Sequence, residues 1–232
     1  MTTWNPNQDP IHAGPTNAWT KLLAKAKAHQ EALAVGGIIV IILALFVPYY
    51  LNGRARSEKD AAGVLNLGQY YLRANVDPKS GPFKSLGEKY QQCLQTFQRI
   101  VSDYPGTSSS RVARYYLAEC QFSLGDYAKA FSSFDQASLD LKGSPLADQA
   151  LVGRVVSLMG ESQWSQAQEA ALAFLSDHPG SFLAPEMKLD LSDIDLKLKQ
   201  KEESRKVLKE LAEASPDTDW GREAARRLKE QS

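Results

Sequence analysis

The side chains able to do acid–base, nucleophilic or metal chemistry are few in this sequence and scattered. Its three histidines are His12, in a stretch rich in proline, His29, beside a long apolar run, and His178, next to Pro179. No two of them share a helical face as a metal pair requires, and acid–base partners must converge to work. The two cysteines, Cys93 and Cys120, are too few for a disulfide framework and lack the paired spacing of a structural zinc site. Loops of the GlyXXXXGlyLysSer/Thr type, GlyXGlyXXGly turns after a strand and GlyXSerXGly elbows are all missing from the sequence. The expectation is therefore a non-enzyme, with no catalytic residue, no cofactor and no metal. Lys and Arg number 27, as do Asp and Glu, so the formal net charge is zero and no chain-wide field exists to recruit nucleic acid. With 43% hydrophobic and 23% charged residues the chain has the balance of a folded protein with a packed core.

Apolar patterning sets out the elements. Residues 32 to 51 carry no charge, and such a run forms a helix about 30 Å long, the thickness of a bilayer core. A soluble core helix in a chain of this size keeps a polar face, and a cleaved signal peptide has a shorter apolar region followed by a small-residue cleavage site. Here the run ends in Pro48, Tyr49, Tyr50 and Leu51, then Asn52, Gly53 and Arg54, so a retained transmembrane helix is expected. The tyrosines suit the interface, and Pro48 is placed to bend the last turn. Lys21, Lys25 and Lys27 flank one side and Arg54, Arg56 and Lys59 the other, so the charge rule for orientation abstains. Residues 1 to 17 read as a disordered polar tail. Residues 18 to 31 place Trp19, Leu22, Leu23 and Ala26 opposite the lysines. That pattern fits either an amphipathic helix lying on the headgroups or a continuation of the membrane helix.

From residue 57 to residue 217 apolar residues recur at three- and four-residue spacing with no strand-like alternation, and the punctuation is periodic. Pro105, Pro145, Pro179 and Pro216 are separated by 40, 34 and 37 residues (145−105, 179−145, 216−179). The sharpest unit spans residues 115 to 137, with Leu117 and Ala118 as a large–small pair, Gly125, Asp126 and Tyr127 as a turn, and Ala130, Phe134 and Ala137 on a second helix. It resembles the tetratricopeptide repeat, in which small residues facing each other let two helix backbones approach. In the preceding unit Tyr90, Cys93, Phe97 and Ile100 lead to Pro105. Its first helix carries Leu67, Gly68 and Tyr71, and an insertion intervenes at residues 77 to 82. The third unit runs through Trp164, Ala167, Ala171 and Phe174, with Gly153 or Val155 as the close-contact residue depending on where a small turn insertion falls. The fourth has Leu191 and Ser192, then Ser204, Leu208 and Leu211, with Lys201 at the aromatic turn position. Residues 218 to 232 read as a capping helix, with Trp220, Ala224 and Leu228 covering the last apolar face. The expected fold is all-α: one N-terminal transmembrane helix, then an α-solenoid of about four tetratricopeptide-like helix pairs and a C-terminal cap.

Residues 97 to 119 and 174 to 180 look like the repeat modules of bacterial envelope proteins. The layout from His29 to Ala62, a basic lead-in, a single span and a charged exit into repeats, is similar to the ancillary Sec-translocon subunit family. That resemblance implies a single-pass protein of the bacterial inner membrane, N-terminus cytoplasmic and repeat domain periplasmic. Its implied partners are the Sec translocon or periplasmic chaperones, with residues 32 to 51 in the lipid bilayer. It implies an adaptor that binds a protein partner through the repeat groove; a structural subunit of an envelope complex and a cytosolic-facing scaffold are the alternatives. In such arrays the first helix of each pair lines the concave groove, which selects Tyr115, Glu119 and Phe122, with Leu189, Asp193 and Lys197 as counterparts in the fourth unit. Cys93 and Cys120 fall on neighbouring helices, either as a bridge or as buried small hydrophobes, the second favoured because disulfide geometry is exacting. The mixed charges of residues 199 to 206 read as a solvated helix face.

Overall fold

The computed structural model describes residues 20–22, 25, 27 and 30–231. The polar tail and most of the lead-in, with His12, His29, Trp19, Leu23 and Ala26, lie outside the described residues. The chain divides into two units, residues 1–54 and 55–232. Helix α1, Gln30–Arg73, runs without a break through Pro48. Its apolar stretch behaves unlike a core helix, since the large side chains from Val35 to Leu51 are all exposed, from 44% at Val47 to 79% at Tyr49. A window of this helix has mean hydropathy 2.4 and none of it buried, so α1 is long and apolar enough to cross a membrane.

The second unit is built of antiparallel helix pairs. α2 (Leu86–Asp103), α3 (Ser108–Ser123), α4 (Tyr127–Asp140), α5 (Pro145–Gly160), α6 (Trp164–Asp177), α7 (Ala184–Lys197), α8 (Lys201–Ala214) and α9 (Asp219–Glu230) follow one another, and each packs on the next. No strand occurs among the described residues; a single bridge, Val76 to Phe83, closes the insertion between α1 and α2. Within that insertion the Asp77 carboxylate accepts from the Lys79 N–H and the Ser80 hydroxyl, and Phe83 is buried edge-on against Tyr71.

The repeat has one strict period. The residues that cap α2, α4, α6 and α8 at their C-termini are Tyr104, Leu141, His178 and Ser215, each 37 after the last (141−104, 178−141, 215−178). Gly125, Ser162 and Lys199, the turn residues with positive φ inside three successive pairs, are also 37 apart (162−125, 199−162). This corrects the proline spacing read from sequence. Pro145 lies in the first turn of α5, where a ring in place of an N–H costs nothing, while the residue in register with Pro105 and Pro179 is Lys142. No turn insertion is needed in the third unit.

The same register explains the core. Cys93, Ala130, Ala167 and Ser204 occupy one position, and all are fully buried. Ala118, Val155 and Ser192 occupy the position they face. In the fourth unit the two small residues are serines, hydrogen-bonded to each other at 3.0 Å, so the buried hydroxyls satisfy one another. Val155 thus holds the register of Ala118. Gly153 does a different job: a Cβ there would come 2.6 Å from the Phe134 ring, so its absence lets Phe134 lie against α5. Gly68 does the same for Phe97, 2.5 Å away.

The last described helix packs over the pair before it. Leu189, Leu208, Leu211 and Ala224 form a last cluster in which α9 covers α7 and α8, with Leu228 packed at its edge. Thr218 caps α9, its hydroxyl accepting from the Gly221 N–H at 3.1 Å.

Candidate functional site

The first helices of successive pairs line an open groove of about 690 Å³. Tyr115, Glu119 and Phe122 come together in it from α3; Val152, Gly153 and Val156 come from α5, and Glu186 from α7. Leu72 and Tyr90 close the end nearer α1 and α2. Tyr115 is held by an edge-on contact with Phe134, ring centres 5.8 Å apart, and its hydroxyl donates to Glu119 Oε1 at 2.6 Å. Phe122 is set edge-on against Tyr127 at 5.2 Å, which fixes the groove rim to the turn of its own repeat.

The electrostatics of this face are unusual for a protein of zero net charge. Burial pushes the Glu119 carboxyl above the usual carboxylate range despite the hydrogen bond from Tyr115, which favours the charged form. Burial, then the Glu119 hydrogen bond and charge, raise the Tyr115 phenol as well, so it stays a donor throughout the physiological range. On α7, Glu186, Asp190 and Asp193 recur at helical spacing. Burial, with the charges of Glu186 and Asp193, pushes Asp190 up to about 7, and Arg227 only partly offsets them. The groove therefore offers aromatic rings, a fixed hydroxyl and the partly buried Glu119 carboxyl, while Asp190 lies outside its lining. Nothing in it is arranged as a nucleophile with a base and an orienting third group.

The fourth-unit residues behave differently from those of α3. In the 37-residue register Tyr115 corresponds to Val152 and Leu189, Glu119 to Val156 and Asp193, and Phe122 to Met159 and Leu196. Val152 and Val156 line the groove, but Leu189 and Asp193 do not. Leu189 is 5% exposed in the cluster beneath α9, and Asp193 is paired with Arg227 of α9 at 2.9 Å, because α9 packs over this part of α7. Lys197 is one residue out of register with Phe122, and its ammonium sits 5.8 Å from the Trp164 ring on α6. Sequence reasoning missed Gln149, Val152, Val156 and Glu186. The strict period leads from Tyr115 and Glu119 to Val152 and Val156, whereas Gln149 and Glu186, 37 apart, share a position whose counterpart Val112 does not line the groove.

Other reactive side chains have structural work. Cys93 and Cys120 are free thiols, fully buried in the cluster of Ala61, Phe97, Ile100, Ala113 and Leu117. The hydrogen bond to Cys93 and burial hold the Cys120 thiol far above its ordinary range, so it is inert as a nucleophile. His178 stacks on Phe174 and places Nδ1 3.0 Å from Asp148, tying the end of α6 to α5. Among the described residues no group of three or more His, Cys, Asp or Glu side chains is placed to hold a metal.

Comparison with known proteins agrees with this architecture. The tetratricopeptide repeat family model matches residues 87–144, which span α2, α3 and α4. Among solved structures, the nearly identical TPR-like repeats of a kinesin light chain-type protein of Podosopora anserina superpose with TM-score 0.58 at 10% identity. That match covers 75% of this chain and 86% of the other. A single-substitution variant of the same protein gives TM-score 0.58 at 11% identity, covering 75% and 85%. No curated protein matches the sequence. The fold is a tetratricopeptide-like α-solenoid preceded by one long apolar helix.

Proposed function

We propose that this chain is a membrane-anchored, non-enzymatic scaffold that holds a protein segment in its concave groove. The observation that carries the reading is the groove itself. Successive first helices present Tyr115, Glu119 and Phe122 beside Val152 and Val156, an open trough of rings, apolar walls and polar tips rather than an enclosed pocket. Protein surfaces bind through such mixtures, with aromatic anchors contributing most of the energy. The uncovered apolar stretch of α1 supports a bilayer anchor, which raises effective concentration at the membrane without adding affinity. The layout from His29 to Ala62 supports a more particular place: the bacterial inner membrane, repeat domain periplasmic, beside the secretion translocon and its chaperones.

The test is site-specific photo-crosslinking from position 122 in intact bacterial cells, combined with protease protection of a C-terminal epitope in right-side-out vesicles. The reading expects crosslinks to translocon subunits or periplasmic chaperones that Tyr115→Ala and Glu119→Lys reduce, and an epitope cut without detergent. Crosslinks indifferent to both substitutions would sink the groove, and an epitope cut only after lysis would place the scaffold in the cytosol. Stoichiometric crosslinking to a single envelope complex would make the chain a structural brace instead.

A further inference from the structure

A second groove, sharing no lining residue with the first, lies where α2 meets the end of α3 and the start of α4, with a volume of about 600 Å³. Gln91, Leu94, Gln95 and Gln98 line it from α2, Gln121 and Leu124 from α3 and the turn after it. Asp126 and Lys129 complete it and neutralise each other at 2.6 Å. Gln121 is 8% exposed, and its Oε1 is buried with no hydrogen-bond partner. A buried acceptor left unpaired has lost its water without gaining a partner, so a donor entering the groove has something to gain there.

The register shows that the fold does not require this arrangement. Gln121, Leu158 and Asp195 share one position, and Leu94, Phe131 and Gln168 share the position on the preceding second helix, each 37 apart. In the next repeat both members are apolar, Leu158 in the core with Phe131 packed against the same cluster. One repeat further on both are polar, and Gln168 Nε2 donates to Asp195 Oδ1 at 2.6 Å. Only the Leu94 and Gln121 combination pairs an apolar residue with a buried amide.

We propose that this glutamine groove is a docking site for an extended polypeptide segment, recognised through its main chain. Four primary amides each offer a donor and an acceptor, the alternation that a peptide backbone presents. Gln91 and Gln95, one helical turn apart, are spaced by about 6 Å along α2, close to the two-residue repeat of an extended strand, about 6.7 Å. Leu94 and Leu124 give the occupant's side chains apolar floor. No aromatic ring lines the groove, so it lacks the stacking platform a sugar chain would use, and the paired Asp126 and Lys129 leave no net charge for a phosphate or a polybasic tail.

The test is an NMR titration of the full chain in detergent micelles, labelled at glutamine side-chain amides, with an N-acetylated, C-amidated decapeptide of alternating serine and valine. Saturable shifts of the Gln121 and Gln95 amide signals are expected. Binding should weaken about tenfold, the worth of one desolvated hydrogen bond, when alternate peptide nitrogens are methylated. Gln121→Leu and Leu94→Gln should each weaken it similarly. Both variants stay folded on this account, because the first copies the Phe131 and Leu158 pairing and the second supplies an internal partner like that of Asp195. Unmoved Gln121 signals, undiminished binding in both variants, or the same shifts produced by cellohexaose in place of the peptide would each overturn the assignment.

Discussion

At Lys199 the backbone adopts φ 62°, and at Ser162 φ 59°, in the turn where the second repeat has Gly125. A side chain in the left-handed region pays a steric cost that glycine escapes. Lys199→Gly and Ser162→Gly should each stabilise the fold by about 1 kcal/mol, read as a rise in the denaturant midpoint. Asp190 sets a second expectation. With its folded value at about 7 against an ordinary 3.8, the folded chain holds a proton there that the unfolded chain releases across that interval. The group therefore leaves stability untouched below about pH 4 and subtracts from it as the pH rises toward about 7. Asp190→Asn should be more stable than the parent near pH 8 and match it near pH 4, measured by urea unfolding across that range. A flat difference between the two would show that Asp190 titrates normally.

At the scale of elements, the start of α3 accounts for its orphan donors in full view. The Glu58 carboxylate accepts from the Ser108 N–H at 2.6 Å, the Ser109 N–H at 2.9 Å and the Ser109 hydroxyl at 2.7 Å. Thr107 takes the Ser110 N–H at 3.0 Å. A carboxylate fifty residues away in sequence thus serves as the helix cap, favoured by the positive end of the helix. Partial burial works against the charged form, but the hydrogen bonds from Ser109 and Ser108 outweigh it and hold Glu58 below its ordinary range. Its contribution is present above the usual carboxylate pKa and lost as the pH falls through the depressed folded value. Glu58→Ala should cost about 2 kcal/mol near neutrality. Faster amide exchange at Ser108 and Ser109 should accompany the loss. Local sequence gave no hint of Glu58, because its partner lies on another helix. Thr107 and Thr218, by contrast, are local caps, each accepting from the N–H three residues further along its own helix.

At the scale of the whole chain, an array of near-identical pairs is stable only where both ends are covered. Removing residues 219 to 232 takes Ala224 and Leu228 off Leu189, Leu208 and Leu211. The expected outcome is loss of exchange protection in α7 and α8 and a tendency to self-associate, while α3 to α5 keep theirs. Uniform loss of protection across all repeats would show instead that the array unfolds as one unit.

The residue order by itself determined that this chain is helical, that its repeats bury small residues against each other, and that one uncharged run stands apart from them. Those properties follow from period, charge and side-chain size along a single segment. The exposed rows from Val35 to Leu51 and the buried positions of Ala118 and Ala130 carry them. Only the tertiary structure decided which proline keeps the register, because Pro145 and Pro105 look alike until one lies inside a helix and the other after it. It alone decided which of the candidate residues line the groove. Leu189 and Asp193 have the spacing of Tyr115 and Glu119, but α9 buries one and pairs with the other, and covering a face depends on what packs there, not on the sequence of the face.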